Sequence, residues 1–377
     1  MLETLAPVLQ HGRTVWDRSL LPADEYEGRR LAIDEVATAR SCAAVVAFDM
    51  PHAPGLAAYL TGYRPTAALA TLVALRGEGV VLIAGLGGGR DHPFIRSTAC
   101  VDDVRWYRTP AEGILAVLGE HAVSGGPVGL VGAGECLDAR GYDRLVAALE
   151  PHGLVSLDEE IHLVRRRKRE RELVALRRGA SVLSDARRAI TGARLTGSSV
   201  HESLTSGERT ARYEGCRDLR VLVGDESGAM RPWPSSRPDR LEGSTGSVYL
   251  AAELLGYWSE TSFSLSPAGD GLASLIDDLA RETRDGTTGS DMRRIARCPG
   301  GTRGLEATGI GLALKESPML TGDVSSVAHE GDVLAVRIVD RGGGGVAVAT
   351  GCLVVGADSS TVLGVTAGRS DLGARIA

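Results

Sequence analysis

The chain changes its secondary-structure pattern near residue 158, and this change constrains the fold more than any other feature. Before residue 158, short apolar runs bounded by glycine, proline or charge alternate with segments of helical spacing. The apolar runs, typical of buried strands, are Ala43–Phe48, Gly79–Ala84 and Val128–Val131. The helical segments are Gly55–Leu60 and Ala111–Leu118. This alternation predicts an α/β domain that ends near Leu157.

After residue 158 the pattern is first helical and then rich in strands. A long helix is predicted from Ile161, with an apolar stripe at Leu163, Leu173, Leu176, Ala180 and Leu183. Beyond Arg220 the predicted strands are Val221–Val223, Val248–Leu250, Val333–Val339 and Val346–Val354. The predicted helices there are Ala273–Thr283 and Gly289–Ile295, and Gly342–Gly345 is the expected hairpin turn. A chain of 377 residues is long for one core, so we predict two domains, residues 1–158 and 159–377.

Charge and composition exclude several classes of protein. The net charge of -6 argues against a nucleic-acid partner, because such proteins neutralise phosphates with a basic surface. No apolar run approaches the roughly 20 residues that span a bilayer, so no membrane association is expected. Six scattered cysteines without a C-x-x-C pair suit reduced thiols, and the start of the chain lacks a secretory pattern. We therefore expect a cytoplasmic protein.

Two glycine-rich loops follow predicted strands, at Gly85–Arg90 and Gly132–Gly134. Neither completes the G-x-G-x-x-G pattern that opens a helix in dinucleotide-binding proteins. We interpret both loops as turns and expect no cofactor.

Several motifs, in order along the chain, resemble those of one enzyme family. They are Tyr59–Pro65 (Y-L-T-G-Y-R-P), the interdomain set Arg165, Lys168, Glu172 and Leu173, Gly256–Glu260 (G-Y-W-S-E), Ala307–Pro318 (A-T-G-I-G-L-A-L-K-E-S-P), Gly331–Val339 and Gly345–Val354. Together they resemble the creatinase/prolidase/aminopeptidase P superfamily. The resemblance implies a two-domain α/β protein with a creatinase-like N-terminal domain and a C-terminal pita-bread domain. It also implies a dimeric habit, as a homodimer or with a different chain.

The resemblance further implies where a pair of metal ions would be bound. The family uses two Asp, one His and two Glu, and these fall here on Tyr249, Glu260, Thr308, Arg337 and Ala349. The charges of Glu260 and Arg337 cancel, whereas two divalent cations require several carboxylates. A guanidinium would also repel a cation placed beside it. We therefore predict a divergent member of the family that binds no metal.

The altered positions are candidate catalytic and binding residues. Arg337 is predicted to pair with Glu260 and to bind an anionic group through its remaining N–H donors. Lys315 replaces a catalytic His of the family and could act as a base or bind an anion. Tyr249 could orient a substrate or simply fill the emptied site. Glu260 or Glu316 could exchange a proton with a substrate amine, and Glu316 could instead hold its loop. The sequence leaves open whether Arg337 and Glu260 only plug the former site.

Further substrate contacts are implied by position alone. The loop that carries Tyr63 and Arg64 contributes an aromatic residue and an Arg to the substrate carboxylate in creatinase-like enzymes. The substrate-facing His of the family falls on Ser235, and Thr308 takes the position of the metal-binding His.

Three functions remain compatible with the sequence. The first is a metal-independent enzyme that acts on a small anionic amino or carboxylate substrate, by elimination, cyclisation or hydrolysis at a C–N bond. Such an enzyme would suit a tailoring step of bacterial secondary metabolism. The second is a non-catalytic subunit that pairs with a different, active chain. The third is a ligand-binding module.

Overall fold

The computed structural model describes residues 16–51, 53–65, 68–85, 87–224, 229–234, 247–264, 270–298, 303–321, 326–341 and 347–364. The chain divides into two compact units, Met1–Arg165 and Arg166–Ala377. Ser235 and the expected turn at Gly342–Gly345 lie outside the described residues.

The N-terminal unit is an α/β domain, as the alternating pattern predicts. Its helices are α1 (Ala23–Ala39), α2 (Leu56–Thr61), α3 (His92–Thr98), α4 (Pro110–Glu120), α5 (Ala133–Cys136), α6 (Ala139–Leu149) and α7 (Asp158–Arg166). Its strands are β1 (Ala44–Asp49), β2 (Ala70–Leu75), β3 (Gly79–Ile83), β4 (Asp103–Arg105), β5 (Val128–Val131) and β6 (Leu154–Ser156). They form one mixed sheet in the order β4-β3-β2-β1-β5-β6. Every residue of the central strands β1 and β2 is buried, which explains their continuous apolar sequence.

The C-terminal unit contains two antiparallel sheets and four helices among its described residues. The helices are α8 (Glu170–Leu195), α9 (Val200–Tyr213), α10 (Asp270–Glu282) and α11 (Gly289–Ile295). The second sheet has the order β10-β9-β7-β8, from β7 (Asp218–Gly224), β8 (Met230–Trp233), β9 (Ser247–Leu254) and β10 (Tyr257–Ser264). The third sheet has the order β12-β11-β13-β14-β15, from β11 (Arg303–Gly309), β12 (Glu316–Met319), β13 (Val333–Asp340), β14 (Ala347–Val354) and β15 (Thr361–Leu363).

Each of these two sheets buries one apolar face under helices. Residues of the second sheet such as Val221, Leu250 and Phe263 form one core with residues of α8 and α9. Leu334 and Val336 of the third sheet form another core with α10 and α11. Because side chains alternate along a strand, the residues between these apolar positions point to the opposite face. Those opposite faces carry the candidate site residues.

A glycine lets α8 approach the strand that carries Glu260. A Cβ atom at Gly179 would lie 2.8 Å from Oγ of Ser259, closer than packed atoms allow. The Ser259 hydroxyl donates to the carbonyl of Leu176 at 3.0 Å, so this strand is hydrogen-bonded directly to the helix. Glu260, the next residue, consequently points away from α8.

The prediction of one continuous long helix from Ile161 is wrong. The structure breaks it between α7 and α8, and Leu163 is 55% exposed rather than part of an apolar stripe. The break has a local cause: Arg169, the N-cap of α8, is extended, and the backbone N–H of Lys168 donates to the carbonyl of Gly331. The other strands and helices named from the sequence are confirmed wherever they are described.

Candidate functional site

Arg337, Glu260 and Tyr249 meet between the second and third sheets. Nη2 of Arg337 donates to Oε2 of Glu260 at 2.8 Å, and the hydroxyl of Tyr249 donates to the same oxygen at 2.6 Å. Tyr249 pairs with Ser262 in the β9–β10 ladder, so Tyr249 and Glu260 are diagonal neighbours on one face of the second sheet. Arg337 reaches them from β13. The predicted ion pair is therefore formed, and the side chain of Glu260 is fully buried in it.

A second carboxylate, Glu306, extends this arrangement to the surface. Glu306 pairs with Arg337 across the β11–β13 ladder, and its Oε2 lies 3.4 Å from Nη1 of Arg337. Its Oε1 accepts a hydrogen bond from Nζ of Lys315 at 2.5 Å. Nη1 of Arg337 also lies 3.4 Å from Oγ1 of Thr308. We call Tyr249, Glu260, Glu306, Lys315 and Arg337 the charged network; it contains two carboxylates and two cations.

Burial and charge set the protonation of this network. Burial raises the pKa of Glu260, although Arg337 and Tyr249 oppose the rise. Burial and the negative charge of Glu260 raise the pKa of Tyr249, so its phenol remains a hydrogen-bond donor. Burial alone would raise the pKa of Glu306, but the hydrogen bond from Lys315 and the charge of Arg337 outweigh it and lower that pKa. Glu306 is therefore ionised while Lys315 holds it.

The residues at the implied metal positions do not suit a pair of divalent cations. Glu260 is the one carboxylate that the resemblance places there, and its Oε2 already accepts from Tyr249 and Arg337. The guanidinium of Arg337 occupies the space beside that carboxylate. Within the described ranges, no three His, Cys, Asp or Glu residues converge on a point where they could hold a metal ion.

The register of the third sheet changes one position of the implied set. Thr350 of β14 lies opposite Arg337, whereas Ala349 lies opposite Ile338. Ala349 and Ile338 therefore belong to the apolar core under α10 and α11. Ala349 therefore does not share a face with Arg337, and Thr350 is the residue of β14 that does.

Glu316 lies apart from the charged network. Its Oε2 accepts from Nζ of Lys168 at 3.0 Å, and its Oε1 accepts from the backbone N–H of Ala313 at 2.9 Å. The ion pair is largely buried, with 4% of Lys168 and 11% of Glu316 exposed. Glu316 thus fixes the segment that leads to Lys315, which matches the loop-holding alternative raised by the sequence.

Tyr63 and Arg64 belong to the N-terminal unit, at the end of α2. Gly62 ends that helix in the left-handed region with φ of 74°. The ring of Tyr63 is buried, with 5% exposed, and burial raises its pKa. Arg64 is half-buried. A substrate contact by either residue stays a prediction.

The charged network borders a pocket of about 560 Å³ between the two sheets. Its walls are mainly apolar, and four cationic side chains face one carboxylate around it. The lining residues are Arg220, Leu222, Met230, Tyr249, Gly304, Leu305, Glu306, Leu314, Lys315, Arg337, Val339, Arg341 and Val348. Its volume lies within the range of small-molecule sites.

Glu260 lines a second, smaller cavity of about 30 Å³. Glu260 and Thr350 line the small cavity, while the partners of Glu260, Tyr249 and Arg337, line the larger pocket. Oε1 of Glu260 and Oγ1 of Thr350 are both buried and make no hydrogen bond to any described residue.

Glu306 and Arg220 are among the residues of the site that were not predicted from the sequence. Glu306 precedes Thr308 by two positions in β11, so strand alternation places it on the same face as that candidate. This period was a usable signal. Arg220 gave no comparable signal: its guanidinium lies 4.6 Å from the ring centre of Trp258, a contact that only the folded sheet creates.

Comparison with known proteins gives a fold rather than a close relative. No protein-family model matches the sequence, and no curated protein matches it significantly. Among solved structures, X-Pro aminopeptidase from Thermotoga maritima aligns with a TM-score of 0.70 at 15% identity, covering 89% of this chain and 97% of that one. Prolidase from Pyrococcus horikoshii aligns with a TM-score of 0.69 at 16% identity, covering 91% of this chain and 99% of that one.

A third structure agrees with these two. Proline aminopeptidase P II from Yersinia pestis aligns with a TM-score of 0.66 at 17% identity, covering 93% of this chain and 98% of that one. Similarity at such low identity concerns the fold and not the chemistry. Among the described residues, no helix combines the length and apolarity needed to cross a membrane. The chain has the two-domain α/β, pita-bread fold of the X-Pro aminopeptidases and prolidases.

Proposed function

We propose that the C-terminal unit is a metal-independent enzyme that binds a small molecule with an apolar body and an anionic group. The observation that carries the proposal is the pocket itself, in which Arg220, Lys315, Arg337 and Arg341 surround mainly apolar walls with Glu306 as the one carboxylate of the lining. Apolar walls favour the body of the ligand, and the excess of cations favours its anionic group.

We further propose that the reaction occurs at a C–N bond of this molecule. The solved structures of the same fold are named as peptidases, and peptidases break a C–N bond. Lys315 and Arg337 would bind the anionic group through charge-assisted hydrogen bonds. Tyr249 would act through Glu260, because its phenol, kept protonated by burial, donates to the same carboxylate oxygen that holds Arg337.

Glu306 is the carboxylate placed to exchange a proton with a substrate amine. It lines the pocket, whereas Glu260 is buried behind Tyr249 and Arg337. Glu316 is bound to Lys168 and does not line the pocket. Glu306 therefore takes the proton-transfer role that the sequence assigned to Glu260 or Glu316.

The test is an untargeted search for turnover with the full chain in the presence of EDTA. Purified protein is incubated with a bacterial small-molecule extract, and mass spectrometry compares the wild type with Arg337→Met and Lys315→Met. We expect anionic compounds to be consumed by the wild type, with products that differ at a C–N bond, and both variants to lose this activity. A requirement for added divalent metal would contradict the proposal.

A second candidate function is ligand binding without turnover. One observation favours it: both carboxylates of the charged network are paired with cations, and Glu306 has a lowered pKa. A carboxylate held in that state is a weak base. Compounds that are enriched on the wild type during equilibrium dialysis, but are recovered unchanged, would establish this function instead.

A further inference from the structure

The carboxylate of Glu306 occupies the place where the pocket is best suited to bind an anion. Its two oxygens face the two cations at the polar end of the pocket, Nζ of Lys315 at 2.5 Å and Nη1 of Arg337 at 3.4 Å. This is the arrangement that a carboxylate, sulfate or phosphate of a ligand would adopt between a Lys and an Arg. Glu306 thus takes the place of a ligand anion beside Lys315 and Arg337.

The contact between Glu306 and Lys315 is suited to exchange. Lys315 is 52% exposed and Glu306 is 40% exposed, so water can replace either partner. Exposed ion pairs of this kind contribute little, about 0–1 kcal/mol. The contact between Arg337 and Glu260 is different, because 12% of Arg337 and none of the Glu260 side chain is exposed. Of these two contacts, only the one between Lys315 and Glu306 can be broken at a small cost in free energy.

We infer that Glu306 is an internal competitor for the anionic group of the ligand, and that binding requires the ligand to displace Glu306 from Lys315. This inference rests on the proposed function, because it names the subsite and the residue that control it. After displacement, Glu306 has lost the hydrogen bond from Lys315 and remains at the pocket beside Arg337. The same step that binds the anion therefore makes Glu306 a better proton acceptor.

The test uses two dyes that share an apolar body and differ in charge. The anionic probe is 8-anilinonaphthalene-1-sulfonate, and the neutral control is N-phenyl-1-naphthylamine. Fluorescence titrations give a dissociation constant for each dye with the full-length wild type, Glu306→Gln, Lys315→Met and the double variant. Glu282→Gln, on the exposed side of α10, is the matched control for the loss of one negative charge.

Displacement predicts a specific pattern of affinities. Glu306→Gln should bind the sulfonate about five- to tenfold more tightly, and Lys315→Met should bind it more weakly. The gain from Glu306→Gln should fall below about twofold in the Lys315→Met background, because Glu306 and the sulfonate then no longer compete for Lys315. The neutral dye should bind all four proteins alike, and Glu282→Gln should behave as the wild type.

Each alternative result overturns a different statement. If Glu306→Gln tightens binding of the sulfonate equally with and without Lys315, Glu306 acts only by long-range repulsion of the anion. The displacement of Glu306 from Lys315 is then refuted. If the sulfonate binds the wild type but Glu306→Gln changes nothing, the inference fails while the proposed function stands. If the sulfonate does not bind, or if Leu222→Trp, which fills the pocket, leaves its affinity unchanged, the proposed function fails as well.

Discussion

Arg337 and Glu260 lie on strands of two different sheets, and Nη2 of the arginine donates to Oε2 of the glutamate at 2.8 Å. Both side chains are withdrawn from water, with 12% and 0% exposed. The pair therefore joins β13 to β10 at the polar end of the pocket, and it has a structural role beside any role in binding. Removing one partner leaves the other charge buried without compensation.

Arg337→Met should destabilise the protein by about 3–5 kcal/mol near neutral pH, because Glu260 loses its counter-ion. Urea unfolding monitored by circular dichroism measures this loss. Arg281→Met is the matched control: Arg281 is 72% exposed and pairs with Asp278 on the surface of α10. Its removal should cost less than about 1 kcal/mol. Similar losses in the two variants would mean that the buried pair contributes no more than a surface pair.

The loss in Arg337→Met should depend on pH. Burial raises the pKa of Glu260 above its ordinary 4.5, so the folded state holds the proton more firmly than the unfolded state. The stability from this group is fully present below 4.5 and declines as pH rises through the folded pKa. Without Arg337 the pKa rises further, so the variant should lose more stability at about pH 8 than at about pH 5. Adding Glu260→Gln should abolish that difference; an equal loss at both pH values contradicts this account.

Two buried tyrosine hydroxyls allow an effect on stability to be distinguished from an effect on ligand binding. Tyr249 donates to Glu260 at 2.6 Å, and Tyr257 donates to Glu172 at 3.1 Å. Replacing either by Phe should cost about 1.5–3 kcal/mol, since each hydroxyl bonds a carboxylate. Only Tyr249→Phe should also tighten binding of the anionic dye, by about twofold, because loss of this hydrogen bond raises the pKa of Glu260 further, and protonated Glu260 no longer offsets the charge of Arg337. Equal dye affinities in Tyr249→Phe and Tyr257→Phe would show that this hydroxyl does not control the pocket.

The fold could be predicted from the sequence because its signals are local and repeated. Short apolar runs marked β1, β5, β9 and β13. The pairing of Arg337 with Glu260 could also be predicted, since a cation inside an apolar strand requires a counter-ion. Both predictions depend on patterns within short segments or on the cost of burying a charge.

Other features of the site could not be predicted, because they depend on the register of the strands and on contacts between distant parts of the sequence. Ala349 was matched to a family ligand by motif alone. Neighbouring residues of a strand point to opposite faces, and the ladder puts Thr350, not Ala349, opposite Arg337. The pairing of Lys168 with Glu316 joins the start of α8 to β12, and no pattern in the sequence reports a contact over that separation. The break before α8 has the same origin.

Glu316→Gln should affect stability and leave ligand binding intact. Glu316 holds the buried Lys168 at 3.0 Å, so removing its charge should cost about 3–5 kcal/mol. The affinity for the anionic dye should stay within about twofold of the wild type, because Glu316 does not line the pocket. Lys168→Met is the companion variant and should likewise lose stability while keeping its affinity for the dye. A large loss of dye affinity without loss of stability would place Glu316 in the binding site.

The small cavity behind Glu260 should hold one ordered water molecule. Glu260 and Thr350 are among its lining residues, Oε1 of Glu260 and Oγ1 of Thr350 have no protein partner among the described residues, and an unpaired buried polar atom costs about 1–3 kcal/mol. The volume of about 30 Å³ suffices, because a water needs roughly 10–15 Å³. A high-resolution crystal structure should show the water in hydrogen-bonding distance of both oxygens. Thr350→Val should remove it and cost about 1 kcal/mol, whereas Thr350→Ser should retain it. Well-ordered density for both side chains around a dry cavity would refute this prediction.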